Sequence, residues 1–235
     1  MIAVGLTIKW LGQACFLITT LAGSNIVIDP FGAGVGYKPP SVKADVVFVS
    51  HAHFDHNAVD ALESSRNVVR PLEGKDFERG AVTSGKCIST QRAIVCRKEN
   101  IPYKSILTYH DPSGGKERGE NTVRLIVVDG IRICHLGDLG HVLTADQVKA
   151  IGPVDVLLIP VGSVYTIDGA QAQKVVRQIK PKLVVPMHYK TPALKIKLEP
   201  PDKFLSGFKN VKHAEKLVVS KDSLPKETTV FVLKY

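Results

Sequence analysis

The chain has no stretch approaching the ~20 uninterrupted apolar residues that a helix needs to cross a bilayer. Hydrophobic residues are nevertheless 44% of its 235 positions. A membrane-embedded helical protein is therefore excluded, and no membrane partner is expected. The apolar N-terminus, Met1 to Leu21, imitates a secretion signal, but Lys9, Gly12 and Gln13 interrupt it and no basic segment precedes it. A cytoplasmic protein is expected. Cysteine is scarce: Cys15, Cys87, Cys96 and Cys134 include no Cys-x-x-Cys pair, which argues against a zinc ribbon or a thioredoxin-like redox site. Buried, reduced thiols are the expectation. Aromatic residues are only 6% of the chain, few for a groove that stacks single-stranded bases. Blocks of five or more basic residues are absent too. The net charge of +9 suits attraction to anions, whether phosphorylated metabolites, nucleic acid or acidic surfaces, but it is dispersed from Lys75 to Lys234, which reads as a solvated surface and not as a dedicated polyanion groove.

What the chain does have is a dense histidine run, Ser50-His51-Ala52-His53-Phe54-Asp55-His56-Asn57, directly after the strand-like Asp45 to Val49. Imidazoles this close repel one another when charged unless a cation organises them. Imidazole and carboxylate are ligands that suit zinc, and manganese or iron when oxygen ligands are added. If the strand ends near Ser50, His51 and His53 point to one side with period two, while Asp55 and His56 lie beyond, where the chain turns. Two ligand sets diverge from one short segment, as a pair of neighbouring metal ions requires.

The pattern His51-x-His53-x-Asp55-His56 after a strand resembles the signature of the metallo-β-lactamase superfamily, which implies three further ligands downstream in a fixed order. His110 follows Ser105 to Tyr109, Asp138 closes Ile131 to Gly137, and His188 follows Leu183 to Met187, each at the end of an apolar run. Strand ends are where an open sheet presents its ligands. By this resemblance His51, His53 and His110 hold one divalent ion, Asp55, His56 and His188 hold a second, and Asp138 bridges them. Zn2+ is the expected metal, with Mn2+ or Fe2+ as alternatives. Two such ions hold a bridging water as hydroxide near neutral pH, and the resemblance makes Asp55 the catalytic acid/base as well as a ligand.

Length suits one large domain, residues 1–235. Short strands are expected at Leu6 to Trp10, Cys15 to Thr19, Asn25 to Ile28, Val46 to Val49, Ala81 to Ser89, Ala93 to Arg97 and Lys104 to Tyr109, with a helix over Ala58 to Ser64. Asp129-Gly130 reads as a hairpin turn between strands Val123 to Val128 and Ile131 to Leu136. Thr144 caps a helix through Ala150. Strand Val156 to Ile159, helix Asp168 to Ile179 and strand Leu183 to Val185 form a βαβ unit, with Asp168 read as an N-cap. Together these predict an α/β fold, a four-layer αββα sandwich, which is also what the resemblance implies. Pro192 to Pro201 reads as a loop.

Several polar residues near the ligands are candidates for substrate binding. Arg118, in the glycine-rich loop after His110, suits a bidentate clamp on carboxylate or phosphate; the alternative is a solvated turn. His141, three residues past Asp138, suits a proton donor to a leaving group or a substrate contact. Tyr165 and Thr166 lie in the segment that joins a strand to the Asp168 helix. That segment and Trp10-Leu11-Gly12-Gln13-Ala14 resemble the ascorbate-phosphate-lactonase-like branch of the superfamily. His135, inside a strand, reads as a core histidine, and His213 as exposed.

The expected activity is dinuclear metal-dependent hydrolysis of a small, anionic ester, lactone, amide or phosphodiester. A nuclease acting on RNA or single-stranded DNA shares the same core but has no added nucleic-acid-binding module here. A diiron redox protein on the same fold usually replaces the second histidine, whereas His53 is present. A non-catalytic metal-binding protein is disfavoured because the full ligand set is retained.

Overall fold

A computed structural model describes residues 5–72, 75–89 and 94–235, and only the backbone of 85–89 and 94–98. Residues 1–4, and Ala93 at the start of one expected strand, lie outside the described residues, as do the side chains of Cys87 and Cys96. Among the described residues no helix is long and apolar enough to cross a membrane.

Two mixed sheets face one another. The first joins β1 (Leu6–Gly12), β2 (Cys15–Thr19), β3 (Asn25–Ile28), β4 (Lys43–Phe48) and β5 (Ser64–Val69) in order, with β13 (Leu217–Val219) outside β1. The second runs, from one edge to the other, through β12 (Val211–Ala214), β14 (Thr229–Leu233), β11 (Leu183–Met187), β10 (Val156–Pro160), β9 (Ile131–His135), β8 (Glu120–Val128), β7 (Ile94–Tyr109) and β6 (Phe77–Ser89). Parallel pairing of β9, β10 and β11 is what the βαβ pattern requires.

Period-two burial builds the core. Ile26 and Ile28 of β3 and Val46 and Phe48 of β4 join Leu125, Ile133, Leu158 and Val184 of the second sheet in one large cluster. Each fully buried aliphatic side chain contributes about 1.5–3 kcal/mol against exposure. The intervening residues Val27, Val47 and Val49 face the other way into a smaller cluster with Phe31, Tyr37, Leu194 and Leu198.

Of the helices, α1 (Ala145–Ile151) and α2 (Gly169–Ile179) start at the expected caps. Thr144 accepts from the Gln147 amide and Asp168 from the Gln171 amide, each in a reciprocal capping box. A short α3 (Asp202–Leu205) packs against α2. The fold is the expected sandwich with thin helical layers. The helix over 58–64 does not form: one 3-10 turn, Val59–Ala61, is followed by β5 from Ser64. Polar Ser64-Ser65-Arg66-Asn67 hides this strand, which parallel pairing with β4 creates. The strands expected at 93–97 and 104–109 are one long β7, because β6 pairs with it through the polar stretch between them. The short β12 and β13 lie in a lysine-rich sequence and depend on their neighbours in the sheets, whereas β14, Thr229-Val230-Phe231-Val232-Leu233, is a β-branched apolar run that the sequence reading passed over.

Candidate metal centre

The seven candidate ligands converge where the strands of both sheets end. After β4 the chain turns sharply, with the amides of His56 and Asn57 both donating to the His53 carbonyl. At the start of the helix expected over Ala58 to Ser64, the Ala58 amide instead donates to the Pro30 carbonyl, which ties the turn to the end of β3.

Two groups of donor atoms form, each with its atoms within 4.8 Å of one another: His51, His53 and His110 in one, Asp55, His56 and His188 in the other. Asp138 lies between them. Its Oδ2 is 3.1 Å from His110 Nε2, 3.2 Å from His56 Nε2, 3.2 Å from His188 Nε2 and 3.9 Å from His51 Nε2. All seven residues picked from the sequence as ligands are brought together.

The chemistry of the donors fits a cation. His51 Nε2, His56 Nε2 and Asp138 Oδ1 are buried without any hydrogen-bond partner, an arrangement that is costly unless something else satisfies them. In three of the histidines the other ring nitrogen is tied down, whereas His188 Nδ1 is buried without a hydrogen-bond partner. His51 Nδ1 bonds Ser50 Oγ at 2.9 Å, His56 Nδ1 bonds Asp29 Oδ2 at 3.0 Å, and His110 Nδ1 donates to the Tyr165 carbonyl at 3.0 Å. In the neutral rings this fixes the proton on Nδ1 and leaves Nε2 bare toward the cluster, as metal-ligating histidines require.

Electrostatics follow from packing buried imidazoles around buried carboxylates. Burial pushes the Asp138 carboxyl up, but His188 and His56 outweigh it and hold it well below the usual carboxylate range. Asp55 is lowered in the same way, chiefly by His56 against its own burial. Burial and the neighbouring His56 lower His51 to about 3, whereas His56, despite burial, is raised by Asp138 and Asp55.

Supporting residues that the sequence reading passed over are as informative as the ligands. Asp29, wholly buried at the end of β3, accepts from the Ser50 amide, Ser50 Oγ and His56 Nδ1. It lies close enough to His51 and His56 to form a third donor group. Its oxygens are already engaged, so it orients ligands. Gln13 Nε2 donates to Asp55 Oδ2 at 2.9 Å, and the Gln13 carbonyl accepts from the His188 amide. Asn121 accepts the Asp138 amide through Oδ1 and donates to Thr108 Oγ1 and the Leu136 carbonyl. Arg124, fully buried in β8, reaches across to the carbonyls of Val49 and Arg70, and fixes the chain just before His51. Asp29 offers one signal in the sequence: like Asp138, it is an acid that closes an apolar run.

The other candidates separate. A cleft of about 630 Å3 opens over the ligands and includes Arg118 and Tyr165. Asp111 accepts four backbone amides of the following loop, from Ser113, Gly115, Glu117 and Arg118, and so sets the place of Arg118. The Arg118 guanidinium lies 5.9 Å from the Tyr165 ring centroid and 3.7 Å from Glu117. His141 does not line this cleft. Its Nε2 accepts from the Tyr109 amide and its Nδ1 donates to the Val142 carbonyl. Thr166 also stands off, with its hydroxyl on the Ile167 carbonyl. His135 is a core residue bonded to the Ala14 carbonyl and the Gly137 amide, and His213 is exposed.

A model of the β-lactamase superfamily domain matches residues 7–188, most of the chain and all seven candidate ligands. The chain belongs to the metallo-β-lactamase superfamily. A Thermotoga maritima crystal structure assigned to the zinc-dependent hydrolases of that superfamily is similar over 97% of this chain and 98% of its own, at 36% identity and a TM-score of 0.72. A UPF0173 metal-dependent hydrolase of Pelotomaculum thermopropionicum is 34% identical over 198 residues, 78% of this chain and 84% of that one. Another, from Thermococcus kodakarensis, is 32% identical over 195 residues, 78% and 84% of the two chains.

Proposed function

We propose that this superfamily member is a metal-dependent hydrolase with two ions per chain, zinc in the first instance with Mn2+ or Fe2+ as alternatives, acting in the cytoplasm on a small anionic ester, lactone, amide or phosphodiester. The observation that carries the reading is the pair of three-donor groups on either side of Asp138. His51, His53 and His110 would hold one ion, and Asp55, His56 and His188 the other, with Asp138 shared. Divalent ions bound there supply the acidity that makes a water nucleophilic near neutral pH and the charge that polarises a carbonyl or phosphoryl oxygen.

The chain's own contribution is orientation and proton handling. Gln13 fixes Asp55 Oδ2, so the carboxylate is held rigidly beside the cleft, where it takes a proton from the attacking nucleophile and passes it to the leaving group. The cleft volume of about 630 Å3 suits a small molecule better than a polymer.

The deciding experiment is a screen of lactones, thioesters, phosphodiesters and single-stranded RNA with freshly purified protein of measured metal content. Hydrolysis of a small substrate that chelator abolishes and metal restores is expected. Binding of RNA is expected to be weak at physiological salt. Metal-dependent RNA cleavage at discrete positions, abolished by Asp55→Ala, would replace this reading with a nuclease.

A further inference from the structure

We infer that segment 194–198 is an anion-binding strap over the metal cleft, and that the substrate carries a phosphate or carboxylate on an apolar body. The substrate class rests on the hydrolase reading, whereas the strap stands on geometry alone. Its sequence, Leu194-Lys195-Ile196-Lys197-Leu198, alternates with period two. Leu194 and Leu198 are buried in the smaller core cluster with Phe31, Val35 and Tyr37, partly buried Ile196 packs against that cluster and also reaches the cleft wall, and Lys195 and Lys197 line the cleft that also holds Asp55, Asp138 and His188.

The strap is built, not merely present. The Lys195 amide donates to the Val35 carbonyl at 2.9 Å, Lys190 Nζ to the Leu194 carbonyl at 2.7 Å, and the Glu199 amide to the Gly162 carbonyl at 2.8 Å. Gly36, at φ +116°, lies so close that a Cβ there would come within 2.2 Å of the Ala193 carbonyl oxygen and 2.7 Å of the Lys195 nitrogen. At the other end Gly162 backs onto His188, where a Cβ would meet the His188 carbonyl oxygen at 2.1 Å. The two lysines are therefore tied to the same backbone that positions a ligand.

Charge and polarity in the cleft point the same way. Among the described residues neither Lys195 nor Lys197 has a carboxylate partner, and Arg118 is offset by Glu117 alone at 3.7 Å. Phe54, between ligands His53 and Asp55, is 66% exposed in this cleft, and Tyr165 is 40% exposed. Unpaired cations beside exposed aromatic rings recognise an organic anion with an apolar body: the ammonium groups meet the anion and the rings cover the rest.

The test uses metal-loaded protein and non-hydrolysable probes, so it does not depend on turnover. Phenylphosphonate, phenylacetate and neutral benzyl alcohol are titrated calorimetrically into the wild type, the Lys195→Ala/Lys197→Ala double variant and the Lys195→Met/Lys197→Met double variant, with metal content measured in each. The expected result is binding of at least one anion by the wild type, weakened by about tenfold or more in both double variants at equal metal content, since charge-assisted contacts are lost. The stronger of the two anions identifies the substrate's charged group. Equal anion affinity in the wild type and the Ala pair would mean that the metals alone hold the anion, and would overturn the strap. Wild-type affinity in the Met pair, or no anion binding by the wild type, would overturn it as well. If anion binding behaves as expected but no ester is hydrolysed, the strap stands and the hydrolase reading fails.

Discussion

Asp29 Oδ2 accepts a hydrogen bond from His56 Nδ1 at 3.0 Å, with both side chains fully buried. The same oxygen accepts from Ser50 Oγ, which in turn bonds His51 Nδ1. One carboxylate thus fixes the ring orientation of a candidate ligand in each of the two donor groups. Asp29→Asn is expected to lower metal affinity about 10–100-fold while leaving the fold intact, since outer partners of ligating histidines have effects of that size. Competition with a chromophoric chelator measures it. Wild-type affinity in the variant would show that the ligands hold their own orientation.

Asp138 and His188 should differ in what their loss removes. Asp138→Ala is expected to empty both metal positions, because its carboxylate meets histidines of both groups, whereas His188→Ala should leave one ion. Metal-to-protein ratios by mass spectrometry distinguish the cases. At most one ion in fully reconstituted wild type would rule out the dinuclear reading, and full occupancy in both variants would sink the ligand assignment.

Gly140 lies against the backbone that carries His110. A Cβ at this position would fall 2.2 Å from the His110 carbonyl carbon and 2.3 Å from the Asp111 nitrogen, atoms that cannot move aside as a flexible side chain would. Gly140→Ala should cost about 1–3 kcal/mol, the usual penalty of overpacking. Denaturant titration reads this directly, and an unchanged midpoint would show that segment 137–141 yields without cost.

Away from the metal centre, Asp155 accepts from the Arg132 backbone amide and from its guanidinium at 2.7 and 2.8 Å. Burial pushes the Asp155 carboxyl up, but the Arg132 hydrogen bonds outweigh it and the pKa is lowered. A lowered folded-state value means that the stabilisation is complete above the unfolded value of about 3.9 and fades as pH falls through the folded one. Asp155→Asn should therefore melt below wild type at pH 6 by an amount equivalent to about 1–3 kcal/mol. That gap should narrow once the pH drops below about 4. A gap independent of pH would assign the loss to packing.

Much of the candidate site was legible in the sequence because its candidate ligands are chemically distinctive and local. His51, His53, Asp55 and His56 occupy one turn, and His110, Asp138 and His188 each follow an apolar run that becomes a strand, so strand ends alone bring them together. The caps Thr144 and Asp168 were legible for the same reason, since a capping box lies within four residues. The helix expected at 58–64 was not, because polar Ser64 to Asn67 form a strand only when β4 offers its backbone.

The sequence by itself determined which candidate donor side chains stand at the strand ends and which superfamily arrangement they follow. Tertiary structure decided what holds them and what they face. Asp29 is 27 positions from His56, Gln13 is 42 from Asp55, and Arg124 is 75 from the carbonyl it holds at Val49. No spacing announces such pairs, because an aspartate, glutamine or arginine is an ordinary residue until packing excludes water and leaves it one partner. Lys195 and Lys197 likewise stand in what reads as a loop, and only the burial of Leu194 and Leu198 beneath them directs both toward the cleft.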